Sequence, residues 1–178
     1  MMRKLKVGAI LFLLSASPSF AQCENLPADA QAYLKAHPGW RVLEIKDIDD
    51  PGDQKAWMKK RPGLCPGLAT VDVDGSHRAS HALALLSNQD GKAFEQVVLL
   101  WHDGKPQSVQ TLVEPFPVGN RIGPHMVIWR LEPGVYEEWD THKKTKISHD
   151  SVGFEAFEAS VRLYYFSKGK FHILTTSD

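Results

Sequence analysis

The chain has 178 residues, with 21 basic and 21 acidic side chains, two cysteines and five tryptophans. Such a balance, without a basic cluster, argues against a nucleic-acid surface. No segment is apolar over the roughly 20 residues that a membrane helix needs, and the length suits one domain with a sizeable core.

The opening stretch, MMRKLKVGAILFLLSASPSFAQ, joins a basic segment (Arg3, Lys4, Lys6) to the apolar run from Val7 to Leu14. Ser19-Phe20-Ala21 follows as a small-x-small cleavage site, the pattern of a secretory signal peptide. Residues 1–21 therefore read as a leader and 22–178 as a single globular domain, periplasmic or secreted. Gln22 precedes Cys23, where a lipoprotein would carry a small residue, so no lipid or transmembrane anchor is expected in the mature chain. Loss of the leader leaves 18 basic against 21 acidic side chains, a net charge of −3 with histidine neutral. In an oxidising compartment Cys23 and Cys65 are expected to pair. The bridge would tie the mature N-terminus to the loop before the first long apolar run. Loop entropy puts its contribution at roughly 4 kcal/mol.

Along the mature chain, NLPADAQAYLKAHPGW predicts a short helix, opened by Pro27 and stopped by Pro38-Gly39. WRVLEIKDI, residues 40–48, predicts a strand. DDPGDQKAWMKKRPG predicts a second helix, capped by Asp50 and ended by Pro62-Gly63. From residue 69 the apolar period shortens. HALALLS, FEQVVLLWH and QSVQTLV, separated by Asp-Gly pairs, predict a three-stranded meander over 81–113. HMVIWRL, GVYEEW, TKIS, VGFEAF, SVRLYYF and KFHILTT continue the pattern, with turns at Glu132-Pro133-Gly134 and Ser167-Lys168-Gly169. The expected class is α+β: mainly an antiparallel β-sheet meander with two short N-terminal helices.

Residues 72–86 resemble the Asp-Gly loop of FG-GAP and VCBS-type repeats. Asp72, Asp74 and Gly75 fall on the first, third and fourth positions of that motif, and HALALL matches the strand that follows it. Ser76 stands where the family has an acidic ligand, His77 replaces a glycine, and Ser80 replaces the last aspartate. The resemblance implies a calcium loop built on Asp72, Asp74 and Ser76. The departures imply a retained turn and a lost or feeble metal site, because calcium takes six to eight oxygens and relies on carboxylates. The alternative is that both aspartates bond backbone amides in a turn. The chain also resembles a broad group of exported bacterial proteins of unassigned activity. The shared features are Cys65-Pro66-Gly67, the Ala82–Leu86 strand and the hairpin from Tyr164 to Asp178.

No catalytic motif emerges. HExxH, GxSxG and a phosphate loop are absent. His77 and His81 sit four apart on a turn and strand, too far apart to share a metal. His149-Asp150-Ser151 reads as a polar turn, since triads assemble from distant segments. Glu137, Glu138, Glu155 and Glu158 read as solvated. Trp101, Trp129, Trp139, Tyr164 and Tyr165 could line a groove, but strand aromatics are more often core, and Trp139 after two glutamates is the one expected to be partly exposed. VEPFPVGNRIGP, residues 113–124, reads as a stiff proline loop that could present Phe116, Val118, Arg121 and Ile122 to a protein partner. The bland alternative packs Phe116 onto the core. The expectation is thus an exported binding protein, of inhibitor or immunity type, meeting a protein partner in the cell envelope without a cofactor and leaning away from enzymatic activity. An envelope hydrolase with a dispersed site, or a calcium- or glycan-binding module, is the alternative.

Overall fold

A computed structural model describes residues 23–89, 91–102, 109–119, 125–156 and 160–177. The expected leader, and Arg121 and Ile122 of the proline segment, lie outside them. Among the described residues the fold is mostly antiparallel β-sheet with two α-helices, an α+β arrangement. Among the described residues no helix is long and apolar enough to cross a membrane.

Helix α1 spans Ala28–Ala36 and α2 spans Pro51–Lys60. In α2 the Asp50 carboxylate accepts from the Gly52 N–H at 2.5 Å, satisfying a donor that the first turn leaves free. Strand β1, Trp40–Val42, is shorter than the sequence predicts. The chain turns into a 3-10 helix at Ile45–Asp47 because Asp47 captures local partners. The Glu44 N–H donates to Asp47 at 2.9 Å, and the Arg41 guanidinium grips the same carboxylate at 2.6 and 2.7 Å. Local side-chain bonds of this kind compete with a continuing strand.

The first sheet runs β1-β3-β4-β5, with β2 (Leu68–Val71) also on β3. Its centre is the meander β3 (Ser80–Gln89), β4 (Lys92–Leu100) and β5 (Val109–Val118). The unbroken apolar runs ALALL and VVLL make β3 and β4 strands buried on both faces. Ala82, Ala84, Leu86, Val97 and Leu99 face the main core. Leu83, Leu85, Val98 and Leu100 face a second cluster with Ala30 of α1 and Cys65. The second sheet runs β11-β10-β9-β6, from Lys170–Ser177, Ser160–Ser167, Ser151–Glu155 and Val127–Leu131. Its Val127, Trp129, Val161 and Leu163 join the same main core, so the two sheets share one apolar interior. Strands β7 (Gly134–Glu137) and β8 (Lys144–Ile147) form a separate hairpin.

Cys23 and Cys65 form the expected disulfide, closing a sequence separation of 42. Cys65 starts a short junction. The Pro66 carbonyl accepts from Ile128 N–H at 2.9 Å, and the Gly67 carbonyl accepts from Ala84 N–H at 3.0 Å. A Cβ at Gly67 would lie within 2.7 Å of the Leu43 backbone, so only glycine lets the two segments approach this closely.

Candidate functional site

The aspartate loop is a turn. Asp72 accepts from the His77 N–H at 3.0 Å, and Asp74 accepts from the Ser76 N–H at 3.1 Å. Burial pushes the Asp74 carboxyl up, but its hydrogen bonds with Ser76 outweigh this and hold it below the usual range. The loop is tied to the second sheet by Asp150, whose carboxylate accepts from the Asp72 N–H at 2.9 Å while pairing with Arg130 at 2.9 Å. Gly75 has φ +73°, and its backbone abuts the His149 ring so closely that a Cβ would collide with it. Among the described residues no group of three or more His, Cys, Asp or Glu side chains is placed to hold a metal ion. His77 faces Asp72 at 3.7 Å, whereas His81 faces Asp29 of α1 at 2.7 Å, so each histidine has its own partner.

The proline segment is a correction. Residues 113–118 are the second half of β5 rather than a loop. Val118 is buried, and Phe116 is half-buried, edge-on to Phe154 with ring centroids 6.1 Å apart. Neither side chain is a free loop tip. Phe116 pairs with Glu95 across the sheet, so its alternation turns it inward. The other aromatics divide similarly. Trp129 and Tyr164 are core, and Trp101 packs on Phe166 and Phe171. Tyr165 stacks on His172, while Trp139 is 60% exposed. Within His149-Asp150-Ser151, Asp150 serves Arg130 and Asp72, and Ser151 is already buried at the start of β9. Glu155 is buried in β9 rather than solvated. Glu158 lies outside the described residues.

The sequence reading missed one cluster. Glu95 of β4 is fully buried, yet it is a carboxylate. It accepts from the Met126 N–H at 3.2 Å and lies 3.3 Å from His125 Nδ1. Burial pushes the Glu95 pKa up, and the hydrogen bond to Glu95 pushes His125 up. Asp49 accepts from the His125 N–H at 3.3 Å. His125 opens onto a cleft of about 380 Å³ that Trp40, Arg41, Ser87 and Asn88 also line. A carboxylate-oriented imidazole beside a cleft can hold or move a proton. A signal was present: Glu95 stands in phase with Val97 and Leu99, a charge at a core position of a period-two strand.

The last feature lies on β11, an edge of the second sheet. Ile173 on it is 59% exposed. Among the described residues, its outer edge carries one backbone bond, from Trp139 N–H to the Thr175 carbonyl at 2.8 Å. That bond sets the exposed Trp139 beside the exposed strand.

Comparison of the chain with family models, with curated proteins and with solved structures brings no match.

Proposed function

We propose that the chain is an exported, non-enzymatic binding protein of inhibitor or immunity type, and that it takes an extended segment of a protein partner along the outer edge of β11. The observation that carries this reading is the open edge with Ile173 and Trp139 exposed beside it. An unpaired edge offers a row of N–H and C=O groups, and exposed apolar side chains along it favour strand addition. Main-chain bonds supply affinity in such complexes, and alternate side chains supply selectivity. Export fits the leader-like N-terminus and the Cys23–Cys65 bridge. The test is capture from cell-envelope extract with the wild-type chain and with Ile173→Lys. One partner held by the wild type and lost by the variant is the expected result. Equal capture by both contradicts the reading.

One observation favours a second reading, an envelope hydrolase. It is the Glu95–His125 pair at the cleft, which has the form of an oriented general base. Ser87 lines the same cleft but is itself buried, and its hydroxyl accepts from the Gln89 amide at 3.3 Å. Glu95 also bridges the two sheets through Met126, which accounts for its burial without a reaction.

A further inference from the structure

A pocket of about 240 Å³ lies between β8 and the β10–β11 turn. Lys146 of β8 and Lys168 of the turn line it from two sides, together with Ser148, His149, Tyr165 and Ser167. Neither lysine makes an ion pair among the described residues. Asp74 also lines the pocket and is the one carboxylate in the lining, so the two lysines leave a formal charge of +1 there with His149 neutral. Both lysines are exposed, so their ammonium groups are open to solvent, and an anion seated in the pocket would draw on the charge of both.

Two further features belong to this pocket. His149 is held by the Asp-Gly turn, since the Gly75 backbone fits against its ring. Lys168 has φ +52°, the left-handed region. It occupies the first position of a two-residue hairpin loop, with Ser167 pairing Lys170. Asn, Asp and Gly are the residues suited to that position. A lysine placed there against backbone preference points to a use for its charge.

We propose that this pocket binds a phosphate group, free or carried on a small phosphomonoester. Lys146 and Lys168 would supply the charge, and the Ser148, Ser167 and Tyr165 hydroxyls and the His149 ring would supply hydrogen-bonding groups. This site rests on charge and concavity, not on the β11 edge, and it stands or falls separately from the partner-binding reading.

The experiment is a chemical-shift titration of the purified protein with inorganic phosphate and with glycerol phosphate, each against sodium chloride at matched ionic strength. The expected result is saturable shifts at residues 146–149 and 165–168, absent with chloride. Tighter binding of the ester would assign a carried phosphate, and equal or tighter binding of inorganic phosphate a free one. Lys146→Gln and Lys168→Asn should each weaken binding at least fivefold. Lys168→Asn should also keep or raise the melting temperature, because asparagine suits the turn, so lost binding would not reflect unfolding. The inference is overturned if chloride gives the same shifts, if no shift saturates, or if both variants bind like the wild type.

Discussion

Strands β5 and β11 each end a sheet, and they treat that exposure in opposite ways. The outer edge of β5 carries Pro115 and Pro117, both exposed, which lack N–H groups and cannot extend a ladder. β11 has no proline and shows Ile173 to solvent, with Trp139 beside it. Edge strands usually carry devices against pairing with other chains. Of these two edges, β5 carries such a device in its prolines, and β11 carries only Lys170 at its start. The contrast sets β5 as a closed edge and leaves β11 as the edge on which the proposed recognition rests. It also fits the alternative in which the proline segment packs Phe116 onto the core, as Phe116 does against Phe154. The chemistry of the prolines suits refusing a partner strand.

Substitutions along β5 and its neighbour β4, and along β11, should therefore separate stability from binding. The largest effect is expected at Glu95, which faces Phe116 across the sheet and ties β4 to Met126, the residue before β6. Glu95→Ala leaves the Met126 N–H and His125 without their buried partner, and should cost about 3 kcal/mol in urea unfolding. Phe116→Ala removes a half-buried ring from Phe154 and should cost about 2 kcal/mol while leaving partner binding intact. Lost binding with unchanged stability would return the β5 segment to a recognition role. Ile173→Lys should do the reverse. It should change stability by no more than about 0.5 kcal/mol and weaken the partner at least tenfold, about 1.4 kcal/mol by calorimetric titration.

The closed side also carries a pH signature. Both the Glu95 and His125 pKa values are raised in the folded state. A raised value means that the folded chain holds its proton to higher pH than the unfolded chain does, so stability falls as pH rises. For His125 the contribution is fully present below the ordinary histidine value of about 6.5 and is lost as pH climbs through the raised value. Asp47 and Asp49 add to this by favouring the imidazolium, while Arg41 is engaged with Asp47. The urea midpoint should be lower at alkaline than at mildly acidic pH, and Glu95→Gln should flatten the slope. A slope unchanged by that variant would remove Glu95 and His125 as its source. The smallest effect is expected from Pro115→Thr with Pro117→Thr. Restoring two edge N–H groups should raise self-association measured by sedimentation, without much change in stability.

Much of the fold was legible because its signals are local. Asp50 and Pro51 mark the start of α2, Ser167-Lys168-Gly169 marks a hairpin, and the ALALL and VVLL runs mark buried strands. The end of β1 was not legible, because it depends on Arg41 and Glu44 converging on Asp47. The proline segment misled for a related reason. Proline forbids a central strand but permits an edge, and only the sheet order makes β5 an edge. For the aspartate loop, the lost acidic positions argued for a turn, and the Asp72 and Asp74 bonds to amides form one. The Glu95–His125 pair needed residues 30 apart in sequence to meet. The β11 edge needed knowledge of which strand ends the sheet.

Amide hydrogen exchange, measured residue by residue on the free chain and on its complex with the captured partner, locates the strand that takes the partner. New protection is expected at alternate amides of β11, centred on Ile173, with no change along β5. Protection confined to β5, or to the cleft beside His125, would contradict partner binding along β11.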